Sequence, residues 1–250
     1  MVVVMNNIEN VWRNLLHHTL SKGSLNQKDD AEVIEIIGVH QFIDSSYANV
    51  PYSAIVTANQ FSEAVRYGTF DIDGYPLKSE ALADYVMSIE DDDKIYLTND
   101  DSFVYTYPER LRNYYPHKIE TDDEYLNAVS QLDVILERLI DNPGSNRAIA
   151  ITYIPHWDWN RTDIPCLQIV QGLIRDNQLT LSVFFRSNDL YGAFPSNMMF
   201  LTYLGMRFCD VLREYYPSIL FKGIDYHCSS LHIYKTDLKQ AEKIIEGGTE

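Results

Sequence analysis

Apolar residues recur at two different periods along the chain, and the switches between them mark out the elements. In residues 7 to about 21, Ile8, Val11, Trp12 and Leu15 fall on one stripe, which predicts a first helix. Residues 33–39 form a β-branched run, read as a strand. In residues 122–140, Leu126, Val129, Leu132, Leu136 and Leu139 recur at helical spacing behind an acidic first turn, and Asn142-Pro143-Gly144-Ser145 ends that helix. Residues 147–154 read as a strand. Residues 167–174 and 179–186 read as a hairpin around Arg175-Asp176-Asn177-Gln178. A second long helix spans 197–214, with Met198, Leu201, Leu204, Phe208 and Leu212 facing inward. His232-Ile233-Tyr234 begins or ends a short strand, and a last helix covers about 237–246. The order is mixed α+β with locally paired strands. Residues 68–101 are mixed and polar, and no element order emerges there.

Composition narrows the class. The chain has 250 residues, 46% hydrophobic and 22% charged, enough for one domain with a sizeable core. The formal net charge of −16 argues against a nucleic-acid partner, which needs a basic face to displace phosphate counterions. An anionic small ligand then requires a local cluster of arginines and backbone N–H groups. The runs Glu90-Asp91-Asp92-Asp93 and Asp122-Asp123-Glu124 read as solvated surface. Three cysteines, Cys166, Cys209 and Cys228, without a CxxC pair argue against a disulfide framework or zinc ribbon and for a reducing, cytoplasmic setting. The start, Met1-Val2-Val3-Val4-Met5, is apolar but too short for a signal or membrane segment, and reads as a short strand or loose end.

Candidate chemistry begins at Pro165-Cys166, just before a strand. A lone cysteine is more often buried filler than nucleophile. Here the second strand of the same hairpin ends in Arg186-Ser187-Asn188-Asp189, and a hairpin returns its chain to the same end of a sheet. Arg186 and Ser187 are therefore expected beside Cys166, where a guanidinium favours thiolate and can hold a phosphate.

Four blocks occur in order. Asn142-Pro143-Gly144-Ser145-Asn146-Arg147 precedes a strand; Ile164-Pro165-Cys166 follows; then Arg186-Ser187-Asn188-Asp189 with Pro195 and Asn197; then His232-Ile233-Tyr234 with Gln240. Together they resemble the thymidylate synthase family, and in wording its short archaeal members. The resemblance implies a single α+β domain over residues 1–250 with a large mixed sheet flanked by helices. It also implies a homodimer with the two sheets packed face to face, and a small peripheral region around 68–101. The first 140 residues match poorly. Tyr105-Thr106-Tyr107-Pro108-Glu109-Arg110 corresponds loosely to the segment with an active-site tyrosine.

The resemblance implies a role for each position. Cys166 adds to C6 of a uracil ring, which makes C5 an enolate carbon able to attack an activated methylene. Arg186 and Ser187 hold the 5′-phosphate, with Arg147 reaching over from a second subunit. Asn197 reads the pyrimidine edge, since an amide offers donor and acceptor together. His232 and Tyr234 hold the sugar hydroxyl, and Asp189 faces the pterin. Tyr105 and Glu80 stand for the catalytic tyrosine and the proton-relay glutamate. The co-substrate is 5,10-methylene-tetrahydrofolate or a methanopterin analogue, the nucleotide is dUMP, the product dTMP, and no metal is needed. Bland readings stand beside these. Asn197 is alternatively a helix N-cap, Asp189 a turn cap, His232 a satisfied core histidine and Tyr234 sheet packing. Trp157 and Trp159 serve core or dimer packing, or stack on a ligand. Cys209 reads as filler. His227-Cys228 with His232 lacks a fourth metal ligand.

Five departures from the family pattern matter: Leu167 where His is usual, Phe185 where Gln is usual, Asn146 in place of one of two arginines, no recognisable N-terminal arginine loop (Lys22 being a poor substitute), and an early end after the His232 strand where a closing segment is expected. Without closure, water can intercept the exocyclic methylene. A 5-hydroxymethyltransferase is therefore the alternative product chemistry, and a non-catalytic nucleotide-binding homologue the alternative class.

Overall fold

Asp176 and Asn177 both adopt left-handed φ values, 51° and 57°, which make the two-residue turn that suits the twist of paired strands. That turn joins β4 (Leu167–Arg175) to β5 (Gln178–Asp189) in antiparallel register. The predicted hairpin is present, and β5 runs three residues further than its apolar pattern suggested. The computed structural model describes residues 3–29, 31–44, 105–112, 114 and 128–246. The peripheral region 68–101, Glu80 and the two acidic runs lie outside the described residues.

The other elements, in chain order, are α1 (Val3–Lys22), β1 (Ser24–Lys28), β2 (Ala31–Asp44), α2 (Tyr107–Arg112), α3 (Gln131–Asp141), β3 (Ile149–Ile151), α4 (Pro155–Asp158), α5 (Phe194–Leu212), β6 (Leu220–Tyr234), a 3₁₀ turn (Lys235–Asp237) and α6 (Leu238–Glu246). The strands form one six-stranded sheet in the order β1-β2-β6-β5-β4-β3. β5 and β6 run parallel, joined through α5; every other pair is antiparallel. The fold is thus α+β with a mixed sheet, as expected.

Several boundaries differ from the sequence reading. The apolar start is helical from Val3, not a strand or loose end. α3 begins at Gln131 because the Ser130 side chain caps it, accepting from Asp133 N at 3.4 Å. Val129 instead exchanges both backbone hydrogen bonds with Tyr114 in an isolated bridge. The strand expected over 147–154 shrinks to three residues, since Pro155 starts a helical turn. His232-Ile233-Tyr234 ends a 15-residue central strand rather than a short one.

Helices cover one face of the sheet. Phe185 and Phe194 pack on Tyr226 at centroid distances of 5.5 and 5.3 Å, and Met198, Leu201, Leu204, Phe208 and Leu212 line the buried side of α5. Full burial of such side chains contributes about 1.5–3 kcal/mol each against an exposed reference. Among the described residues, no helix covers the opposite face. Across it, Ile151, Ile169, Phe184, His227 and His40 occupy one cross-strand row, and Ile149, Gln171, Ser182, Asp225 and Phe42 the next. Pairing lapses at one level in three adjacent strands, at Gly38, Ser229 and Arg186, where Gly38 takes φ 75°. Beyond that level, inward positions on β6 shift phase from Cys228 to Leu231. Among the described residues, no helix is long and apolar enough to cross a membrane.

Candidate active site

The break in pairing gives the C-terminal ends of β5 and β6 their own geometry, and the chemistry gathers there. Arg186 N donates to Cys166 O at 2.9 Å, so the strand holds the cysteine loop by backbone as well as side chain. The Arg186 guanidinium donates through Nε to Pro165 O at 3.0 Å, through Nη2 to Ile164 O at 2.6 Å, and through Nη1 to Ser187 Oγ at 3.2 Å. Two of its five N–H groups are thus used on the loop and a third on Ser187, leaving two for an anion. Cys166 Sγ lies 3.5 Å from Ser187 Oγ. Cys166 is partly exposed, whereas Cys209 and Cys228 are buried, and burial pushes their thiols up to about 12 and about 11. Only Cys166 has the accessible, cation-flanked setting of a reactive thiol.

Two tyrosines fix the loop from the other side. Tyr105 OH donates to Ile164 O at 3.1 Å, and Leu167 N donates to Tyr107 OH at 3.2 Å. Burial, then the neighbouring Cys166, raises the Tyr105 phenol well above its ordinary range, so it stands as a neutral donor. Leu167 and Phe185, the two departures flanking the site, are fully buried in the core.

Behind the cysteine runs a buried polar chain. Asn197 Nδ2 donates to Asn188 Oδ1 at 3.2 Å, and Asn188 Nδ2 donates to Tyr226 OH at 3.0 Å. Asn197 is not an N-cap: α5 is capped by Ala193, with Pro195 in its first turn, and Asn197 sits one turn in. Its orientation is therefore set by Asn188, a residue the sequence motif contained without revealing this role. Asp189 does cap a turn, its Oδ1 accepting from Tyr191 N at 3.1 Å and Gly192 N at 2.9 Å. Trp12 Nε1 donates to Leu190 O at 2.7 Å, and Leu190 N to His232 O at 2.8 Å, tying α1 and β6 to that turn.

His232 is buried on β6 beside Asp189 on β5. Burial first, and Lys28 second, push its pKa down to about 4, so the ring is neutral at pH 7. Lys28 Nζ donates to His232 Nε2 at 2.8 Å and to Tyr234 OH at 3.5 Å. Burial lowers the Lys28 pKa, opposed by Cys166. Sequence reasoning missed this lysine and weighed Lys22 instead. The β1–β2 hairpin, paired onto β6, is what delivers Lys28, and no local pattern marks a pairing between residues so far apart.

The structure thus brings together Cys166, Arg186, Ser187, Asp189, Asn197, His232, Tyr234 and Tyr105. It does not bring Arg147 there. Arg147 is exposed before β3, and Ala148 O accepts from Gly172 N, which places it near the far end of β4. Seven strand positions from Cys166 amount to about 20 Å. His227, Cys228 and His232 do not converge either: they face the open sheet surface, the core and Lys28 respectively. Trp157 lies 5.5 Å from the Arg110 guanidinium, which pairs with Asp158 at 2.9 Å in the interior, while Trp159 is 73% exposed.

Comparison with known proteins places this geometry. Residues 12–249 match the family model described as thymidylate synthase. A protein of Methanosarcina barkeri is 35% identical over 149 residues, covering 60% of this chain and 61% of that protein. One of Methanocaldococcus jannaschii is 36% identical over 165 residues, 64% and 66% of the two chains. One of Methanopyrus kandleri is 26% identical over 241 residues, 95% of each. The names of all three assign them provisionally as thymidylate synthases. The matched stretch spans about three fifths of the first of these relatives.

Proposed function

Because the chain belongs to the thymidylate synthase family, we propose that it transfers a one-carbon unit from a reduced pterin to C5 of dUMP, giving dTMP, through a Cys166 adduct at C6. The observation that carries this reading is the grouping of Cys166 Sγ, Ser187 Oγ and the Arg186 guanidinium on one strand end, with a thiol exposed to ligand and N–H groups still open to phosphate.

Each neighbour has a part. Arg186 and Ser187 hold the 5′-phosphate and set the ribose so that C6 reaches the sulfur. Attack there moves charge onto O4, and C5 becomes nucleophilic. Asn197, held by Asn188, presents donor and acceptor to the uracil edge; aspartate there would favour cytosine. His232 and Tyr234 take the sugar hydroxyl. Lys28 now sits between them, so a bound hydroxyl displaces its ammonium toward the phosphate side, where it adds positive charge. Asp189 faces the pterin, a folate-type co-substrate in this family and either tetrahydrofolate or methanopterin here. Tyr105 donates to the developing charge, and Glu80 relays protons. A second copy on the open sheet face, with Ile149, Ile151, Ile169 and Phe184, forms a homodimer and supplies Arg147 in trans. The whole of residues 1–250 acts as one domain.

The deciding experiment uses dUMP tritiated at C5 with each carrier, measuring tritium release and identifying the nucleotide formed. Wild type releases tritium and yields dTMP. Cys166→Ala binds dUMP but loses activity by more than about a thousandfold, as nucleophile removal does elsewhere. A hydroxymethyl product, or nucleotide binding without release, overturns the reading.

A further inference from the structure

On the face of the sheet that no described helix covers, away from Cys166, three side chains come together. His40 on β2 and His227 on β6 are direct cross-strand partners, and Asp225 lies two positions from His227 on the same strand. Their ligand atoms all lie within 4.8 Å of one another. The two imidazoles stack with centroids 4.2 Å apart and planes 9° from parallel. His40 Nε2 lies 2.7 Å from Asp225 Oδ1, and His227 Nε2 3.0 Å from Asp225 Oδ2. Ser182, opposite Asp225 on β5, donates to Oδ2 at 3.0 Å and fixes the carboxylate.

We propose that His40, His227 and Asp225 bind a divalent transition-metal cation of the zinc class. Two neutral imidazoles and one carboxylate suit zinc, nickel and cobalt better than the hard ions magnesium or calcium, which prefer oxygen. Binding turns the two rings out of their stack, because each nitrogen lone pair lies in its own ring plane and parallel planes share no point, whereas the distances need little change. Metal–ligand bonds of 2.0–2.1 Å in a tetrahedron separate ligand atoms by about 3.3 Å, slightly wider than the present contacts. On binding, each Nε2 gives up its place in the hydrogen bond, the ring proton moving to Nδ1, and the cation takes the position between nitrogen and carboxylate. His40 and His227 are partly exposed within one chain; in the homodimer proposed above this face meets a second copy, so the fourth ligand comes from that copy or from water held between the two. Two-strand spacing on rigid β-structure holds the three ligands without any loop closing.

This site was outside the reach of the sequence, where His227 had only Cys228 and His232 as neighbours. The test is isothermal titration of the tag-free, chelator-treated protein with Zn²⁺, repeated with Ni²⁺. Saturation at one ion per chain, or one per two chains where a second copy completes the coordination, is expected. His40→Ala weakens binding by more than about a hundredfold, and Ser182→Ala by about tenfold, since a group orienting a ligand matters less than the ligand. His17→Ala with His18→Ala leaves the isotherm unchanged. Circular dichroism of His40→Ala verifies the fold, and His40 is exposed enough for the change to be tolerated. Identical isotherms for wild type and His40→Ala, or no saturable binding in the wild type, overturn the proposal and leave the trio as a hydrogen-bonded surface cluster.

Discussion

Lys28 and His232 are 2.8 Å apart, Nζ to Nε2, although they come from the first hairpin and the last strand. The contact makes the histidine an acceptor at Nε2 and so assigns its tautomer. It also puts a cation beside two residues to which the family resemblance assigns the sugar hydroxyl. A lysine buried this far loses hydration, and an anionic ligand is the natural replacement.

Replacing Lys28 by Met should raise KM for dUMP about tenfold with kcat nearly unchanged, as expected for a charge-assisted contact made equally in ground and transition states. Steady-state kinetics with saturating pterin check this. The same variant should raise the His232 pKa, read by NMR titration. An unchanged KM would remove Lys28 from the nucleotide site.

His232 also makes acid stability predictable. Its folded pKa of about 4 lies below the ordinary 6.5, so the unfolded chain binds the extra proton first. Stability from this group is full above about pH 6.5 and is lost as pH falls toward 4. The shift corresponds to at most about 3 kcal/mol. Urea midpoints between pH 4.5 and 7.5 should therefore slope upward with pH, and His232→Gln should flatten the slope.

Asn197→Asp changes what the base edge meets. Asn188 Oδ1 now accepts from the Asn197 amide, and a carboxylate there would face that oxygen and force Asn188 to turn. A fall of roughly a hundredfold in kcat/KM for dUMP is expected, from two lost or reversed hydrogen bonds. Tritium release from C5-labelled dCMP should rise at the same time; equal activity of wild type and variant on dUMP would exclude Asn197 from base reading.

Arg110 and Asp158 form a buried pair, their side chains 3% and 0% exposed, and Asp158 Oδ2 also accepts from Ile154 N at 2.7 Å. Asp158→Ala strands the guanidinium and should cost about 3–5 kcal/mol in a denaturant titration. The double change Arg110→Met with Asp158→Leu should recover most of it. A cost below about 1 kcal/mol for the single variant would mean that water reaches the arginine.

Local signals explain what was legible. The β4–β5 hairpin declared itself through alternation and an Asp-Asn turn, and α5 through a stripe that is buried as read. β6 did not, because its period-two pattern slips twice, at Lys222-Gly223 and at Ser229, where pairing is irregular. α3 was overextended because Val129 happens to continue its stripe, while the Ser130 cap is the truer boundary. The grouping of Cys166 with Arg186 and Ser187 followed from hairpin geometry. Lys28 and His40 reach their clusters only by β2 pairing with β6, and sheet order between distant strands leaves no mark in a single sequence.

That same pairing has a consequence during synthesis. β2 leaves the ribosome long before the strand that covers its inner edge, β6, which begins only at Leu220. At bacterial-to-eukaryotic elongation rates the wait is on the order of ten seconds. Throughout it, among the described residues, the 14-residue strand carries the short β1 on one side and an open ladder on the other. Nascent chains stalled before residue 220 should then be held by chaperones or aggregate, and nucleotide affinity should appear only when β6 has cleared the exit tunnel.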